Sequence, residues 1–292
     1  MKTWEGEAVD VNQQQDASEF LTSFFQQLES EMNGSSSGIL GDESVLNTFF
    51  GGVFSNELVA EGDRYSERFE PFHFISVPVR DRKTLTESLD SWVEGDKVSY
   101  TWESKSSSDD SEQDAQPEKV TLETHKRISI HTLPDKLIIH LKRFEFDFEA
   151  MQQIKLHDRF EFPMELDMFR YTKEGQAQLR RRAASENDGE PLASSSLSDR
   201  SRAPEHYLYE LVGTVVHMGS AHSGHYYSYL REQEVEDDAV PHWYEFNDTD
   251  VSLFDAKNIP EECFGGNDEG DKPERFVQPR SIWIRRSSEE SE

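Results

Sequence analysis

Residues 216–230 read VHMGSAHSGHYYSYL, with three histidines and three tyrosines around two Ser-Gly or Gly-Ser turns. Gly224 permits a tight turn and the close approach of another chain. After it the pattern alternates, so His225, Tyr227 and Tyr229 share one face of a strand and Tyr226, Ser228 and Leu230 the other. A histidine at the mouth of a rigid strand is held firmly and is reachable from solvent. Packing, metal binding and catalysis would each suit it. A metal site built from His217, His222 and His225 would have the spacing H-x4-H-x2-H, which fits no common structural zinc pattern, and the turn puts His217 and His225 in different strands. Catalysis needs a partner that holds one ring N–H and leaves the other nitrogen free. Residues 242–252, HWYEFNDTDVS, form a second strand ending in Asn247, Asp248 and Asp250, which either provide that partner or are simply a polar turn.

Composition narrows the function classes. Formal net charge is −29. Phosphate backbones select basic surfaces, so nucleic acid is excluded as a partner, while a basic patch or tail would suit this surface. No apolar run approaches the roughly 18 residues of a membrane span, and residues 1–16 contain no apolar signal core. The single cysteine, Cys263, excludes an internal disulfide framework and any CxxC zinc site. It fits a reducing compartment, cytosol or nucleus. Apolar residues make up only 34%, yet 19 Phe and 5 Trp are too many for an unfolded chain, so polar inserts in a folded domain are expected.

The spacing of Phe20, Leu21, Phe24, Phe25 and Leu28 predicts a helix over 16–32, with Asp16 and Glu19 in an N-cap pattern. A short helix is expected at 46–50. Residues 53–130 read as largely β, with alternation that slips by one residue near Phe74 and a helical interlude through Leu85, Leu89 and Trp92. Residues 136–144 have the continuous apolar run of a buried central strand. Further strands are expected at 207–217, 224–231, 242–247 and 281–286. Residues 104–118 and 174–204 are acidic or Ser-rich and predict disordered inserts, and 287–292 form an acidic tail. Helices segregated towards the N-terminus and long antiparallel strands indicate an α+β fold.

Four motifs, QQDASEFL, LIIHLKRFEFD, LVGTVVHMGSAHSGHYYSYL and WYEFNDTDVS, occur in an order that resembles the catalytic domain of ubiquitin-specific proteases. FEFPMELDMFRYT and CFGG resemble the fat facets branch in particular. The resemblance covers residues 11–286 outside the two inserts. It implies a papain-like cysteine protease fold with palm and fingers, the fingers-like region being 53–130, and thiol-dependent hydrolysis of the bond after the C-terminal glycine of ubiquitin. It also implies that His225 is the catalytic histidine, Asn247 the residue that orients it and Asp248 a supporting acid. Gln14, Asp16, Glu19, Gly224, Tyr226 and Tyr227 would line the channel for ubiquitin's arginine-bearing tail. Ubiquitin or ubiquitinated proteins are the implied partners, and no cofactor is implied.

Two departures from the family pattern set further expectations. The cysteine box that precedes the QQD helix in this family is missing from the sequence, so the thumb is expected to be truncated and this chain alone inactive. Cys263, in a CFGG loop after the histidine motif, is expected to be a structural thiol. The fingers lack the two CxxC pairs of many relatives: the corresponding stretches read LVAEGD (58–63) and YTWESK (100–105). No metal is expected there, and Trp102 is the candidate apolar substitute. The alternative to a deubiquitinase domain is a non-catalytic ubiquitin-binding module or a degenerate fragment.

Overall fold

A computed structural model of the chain describes residues 17–34, 45–103, 119–187, 200–221, 223–233, 240–266 and 277–286. The first helix, α1 (Ala17–Gly34), follows the expected spacing. It buries Phe25 against α2 (Val45–Phe50), where Leu46 and Phe50 join Ile138 in a small cluster. Phe25 meets Phe50 at 5.3 Å and the edge of His73 at 5.5 Å. On the opposite face Phe20 and Phe24 stack at 6.0 Å and remain exposed. The capping residue Asp16 and the insert 104–118 lie outside the described residues.

Strands β1 (Gly52–Ala60) and β2 (Arg64–Phe72) form a hairpin whose turn uses Gly62 and Asp63 at positive φ. The chain then leaves this sheet. Phe72 points into the main core, Phe74 packs on the small cluster, and β3 (Ile75–Pro78) joins a different sheet. The one-residue slip near Phe74 marks this change of sheets. Next, α3 (Leu85–Glu94) starts at Thr84, whose hydroxyl accepts from Glu87 N at 3.1 Å, and ends at Gly95 with φ 74°. Its Leu85, Leu89 and Val93 are buried, each stabilising the fold by about 1.5–3 kcal/mol. The hairpin β4 (Asp96–Glu103) and β5 (Lys119–Thr132) completes an antiparallel sheet in the order β2-β1-β5-β4. Trp102 is buried there and donates its indole N–H to Thr124 Oγ1 at 2.9 Å. Residues 53–130 therefore hold most of this sheet, together with a strand and a helix that serve its neighbour.

The main sheet grows around β6 (Lys136–Lys142), whose Leu137, Ile138, Ile139 and Leu141 have no exposed surface. Burial on both faces explains the continuous apolar run. A short hairpin follows, β7 (Phe144–Asp147) and β8 (Gln152–Lys155), then β9 (Glu165–Asp167). Between β6 and β7, Arg143 is buried with its guanidinium on three backbone carbonyls: Asp158 O at 2.8 Å, Phe264 O at 3.3 Å and Leu156 O at 3.4 Å. Burial lowers its pKa to about 10.

The expectation of disorder across 174–204 needs correcting. Helix α4 (Lys173–Asn187) occupies its first part, and a 3-10 turn at Pro204–Tyr207 lies at its end. Residues 188–199 lie outside the described residues. Tertiary contacts make the helix, because its own composition carries almost no apolar stripe. Thr172 Oγ1 accepts from Gly175 N at 3.0 Å and caps the N-terminus. Lys173 bonds Glu67 on β2 at 2.5 Å, and Arg180 bonds the buried Glu57 on β1 at 3.1 Å. Glu174 accepts from Tyr207 Oη at 2.8 Å.

The remaining elements are β10 (Leu208–Gly219), β11 (Gly224–Arg231), β12 (Trp243–Asn247), β13 (Asp250–Phe254), α5 (Ile259–Cys263) and β14 (Val277–Arg286). The main sheet runs β13-β12-β11-β10-β14-β6-β3, with β9 also on β10. Only β3 with β6 is parallel. The fold is thus α+β, with helices set against two largely antiparallel sheets.

The α4 contact carries a pH signature. Burial pushes the Glu67 carboxyl up, but hydrogen bonds from Lys173, Ser55 and Tyr65 outweigh it and hold the group below the usual 4.5. A depressed carboxyl contributes stability in full above its unfolded value, and that stability is lost as pH falls through the folded one. Urea midpoints measured from neutral pH down to about pH 3 should therefore fall less steeply for Glu67→Gln than for the wild type.

Candidate active site

The site is built on the β10–β11 hairpin. Gly219 pairs with Gly224 and Met218 with His225. The turn closes through Ser220 N to Ser223 O at 2.8 Å, with Gly219 at φ 115°. Gly224 has to be glycine, because a Cβ there would collide with the Met218 carbonyl oxygen and the ring of His217. That ring is fully buried between Phe144, at 5.3 Å, and Tyr226, at 4.6 Å. Strand alternation puts His217 and Tyr226 on one side of the hairpin and Met218 and His225 on the other. His217 is thus a packing residue. His222 lies outside the described residues.

Lys155, at the end of β8, secures the hairpin from beneath. Its buried ammonium donates to His217 O at 3.0 Å and Gly219 O at 2.8 Å. These two carbonyls flank Met218, the residue directly across from His225. The position of the histidine along the sheet therefore depends on one buried cation.

On the other side β12 pairs with β11 through Tyr229–Glu245 and Ser228–Phe246. Glu245 and Asn247 consequently face the same way as His225, Tyr227 and Tyr229. A two-residue turn at Asp248–Thr249 joins β12 to β13, with Asp248 at φ 53°, a conformation that Asp tolerates. His225 Nε2 lies 2.6 Å from Asn247 Oδ1. The Asn247 amide in turn donates Nδ2 to Glu245 Oε1 at 3.4 Å, which assigns the oxygen end to the histidine. Nε2 therefore carries the proton, and Nδ1 presents a lone pair. Asp248 Oδ2 lies 3.9 Å from Nε2 and is largely exposed. The Tyr227 ring lies almost parallel to the imidazole at 6.4 Å, meets Tyr229 edge-on at 5.7 Å, and Tyr229 stacks on Phe254 at 4.0 Å. Burial pushes both tyrosine hydroxyls above their ordinary range, which keeps them neutral.

The arrangement is an imidazole held by an amide on a rigid sheet, with Nδ1 left free to accept a proton. The structure brings together His225, Asn247 and Asp248, with Gly224 and Tyr227 beside them. Tyr226 lies on the far face against His217. Gln14 and Asp16 lie outside the described residues, and Glu19 is described only as backbone in α1. Cys263 is fully buried in the core, and burial followed by the charge of Glu262 pushes its thiol well above the usual range. A thiol kept protonated and out of reach of solvent is inert as a nucleophile. The sequence reading missed Glu245 and Lys155. The alternation of β12 places residue 245 beside residue 247 and was the available signal for the first. Nothing local marks Lys155, whose partners lie 62 and 64 positions away.

The chain matches the family profile described as "Ubiquitin carboxyl-terminal hydrolase" over residues 2–274. It is 36% identical over 266 residues to ubiquitin carboxyl-terminal hydrolase 9Y of Homo sapiens, which covers 89% of this chain and 10% of that protein. It is also 36% identical over 267 residues to the probable ubiquitin carboxyl-terminal hydrolase FAF of Drosophila melanogaster, covering 89% of this chain and 9% of that protein. The chain thus spans about a tenth of the length of the curated relatives it matches. Among solved structures, the SAGA Ubp8/Sgf11/Sus1/Sgf73 DUB module bound to ubiquitin aldehyde superposes with a TM-score of 0.62 at 22% identity. That match covers 94% of this chain and 50% of the other, and shows a shared fold.

Replacing Lys155 by Met keeps the side chain's bulk but leaves two buried carbonyls without a donor. The expected cost is about 2–3 kcal/mol of folding stability. Amide exchange should accelerate locally at residues 217–225, as read by exchange mass spectrometry.

Proposed function

This chain belongs to the ubiquitin carboxyl-terminal hydrolase family, and we propose on that premise that it is the palm and fingers of a thiol-dependent deubiquitinase. The observation that carries the proposal is the 2.6 Å contact between His225 and Asn247. With Nε2–H given to Asn247, His225 Nδ1 takes the proton of a cysteine thiol. The thiolate attacks the carbonyl of ubiquitin's last glycine, His225 protonates the leaving amine, and water releases the acyl group. Asn247 keeps the ring aligned throughout. Asp248 is the supporting acid on this reading, 3.9 Å from Nε2. Gly224 lets the hairpin close against the His217 ring, and Tyr227 gives the histidine a rigid wall. Gln14, Asp16 and Glu19 belong to the same channel on this reading, with Asp16 and Glu19 as charge partners for arginines of the tail, whereas Tyr226, on the far face against His217, does not line it. A reducing compartment, cytosol or nucleus, suits a chain whose one cysteine is free.

The thiol cannot be Cys263, which is the only cysteine of the sequence and is buried in the core. On the deubiquitinase reading it comes from outside these 292 residues. The same observation favours a second reading, a module that binds ubiquitin without cleaving it. Its affinity would fall with salt as screening weakens charge pairing.

Hydrolysis of ubiquitin bearing a C-terminal fluorophore, by the chain joined in frame to a family cysteine box, tests the first reading. Turnover should drop at least about a hundredfold in His225→Ala. Turnover that survives this substitution rules out the assigned base. Saturable ubiquitin binding without turnover in any form selects the second reading.

A further inference from the structure

We propose that Glu245 is a positioning residue that selects the catalytically competent tautomer of His225 by fixing which end of the Asn247 amide faces the ring. The inference rests on the deubiquitinase reading of the site only for its consequence to rate. Its structural content stands on the contacts themselves.

An asparagine amide beside a neutral imidazole has two nearly equivalent solutions. With Oδ1 towards Nε2, the ring carries its proton on Nε2 and Nδ1 is a base. With the amide turned over, Nδ2 donates to Nε2, the proton moves to Nδ1, and that nitrogen can no longer accept one. Asn247 and His225 alone do not choose between these. A third group must, and Glu245 is placed to do so. It lies two residues before Asn247 on the same face of β12, paired with Tyr229 on one side and Ser252 on the other. An ionised carboxylate only accepts, so it is satisfied by Nδ2 and repelled by Oδ1. At 3.4 Å the contact acts mainly as directional electrostatics, in a half-buried position where solvent screens it incompletely.

Among the described residues, few other charged and titratable groups surround the histidine. Met218, across the hairpin, is uncharged. Tyr227 and Tyr229 on β11 are kept neutral by burial, and Glu262 on α5 reaches those two tyrosines. Asp248 is the remaining candidate to select the tautomer. Its carboxylate is 77% exposed and 3.9 Å from Nε2, beyond hydrogen-bond distance. Solvent screens it, and it makes no contact with the Asn247 amide that would fix its orientation.

The test uses this chain labelled with 15N-histidine, with tautomers read from long-range 1H–15N correlations above the ring's titration and His225 assigned by its loss in His225→Gln. Wild type should show the Nε2–H pattern. Glu245→Gln can present either an acceptor or a donor to the Asn247 amide and should give a pattern between those of the wild type and Glu245→Ala. Glu245→Ala should give a mixture with a substantial Nδ1–H fraction. Glu245→Lys places a donor where an acceptor stood and should make Nδ1–H dominant. Asp248→Asn should retain Nε2–H. In a hydrolysis-competent form Glu245→Ala should lower kcat about tenfold with KM unchanged, and Glu245→Gln should recover part of it. A pure Nε2–H pattern in both Glu245→Ala and Glu245→Lys overturns the proposal, as does loss of that pattern in Asp248→Asn. The tautomer is read without ubiquitin, so failure of every form to hydrolyse ubiquitin would count against the deubiquitinase reading and leave this result intact.

Discussion

The register of β10 against β11 is the constraint on which the rest of the site depends. Side chains alternate along a strand, so a slip of one residue would carry His225 to the side now held by His217 and Tyr226, away from Asn247. Three features prevent the slip. Gly224 alone fits beneath the His217 ring, Lys155 holds the carbonyls on either side of Met218, and β10 is bound along its other edge by β14 and β9. None of the three touches the imidazole. The His225–Asn247 geometry is inherited from a strand pairing secured from behind.

Buried cations recur as the means of securing it. The chain is strongly acidic overall, yet Arg143 and Lys155 lie inside the fold and donate to backbone carbonyls. A buried guanidinium or ammonium is costly to desolvate, and each compensates by joining segments that are distant in sequence. Arg143 ties the β6–β7 junction to Leu156, Asp158 and the Phe264 loop after α5. Lys155 ties β8 to the catalytic hairpin. Nearer the surface, half-buried Lys173 and Arg180 pair with Glu67 and the buried Glu57 to lay α4 on the β1–β2 hairpin.

What could be read from the sequence follows from which contacts are local. Strand β11, with His225, Tyr227 and Tyr229 on one face, was legible because alternation is a property of the strand itself, and β6 and α3 were legible from an apolar run and from helical spacing. The Asn247 partnership was legible as a motif, and Cys263 as an unsuitable nucleophile from its place after the histidine motif. Helix α4 was not legible. Residues 174–187 look like a polar linker, and their helix is made by ion pairs to residues more than a hundred positions away. The region 53–130 looked like one β unit because the departure of the chain at Phe74 leaves only a one-residue slip in the pattern. The role of Glu245 was not legible, because it depends on the pairing of β12 with β11.

Sealing Cys263 within the core has a practical corollary. At neutral pH its sulfur does not compete for maleimides or iodoacetamides, and the sequence contains no other thiol. The native chain is therefore already a clean background for spectroscopic labelling. A cysteine introduced at the tip of the β1–β2 hairpin, or on an outer face of α4, would take a spin label or dye stoichiometrically. A pair of such labels would follow the seating of α4 on the β1–β2 hairpin in solution without altering any residue of the core.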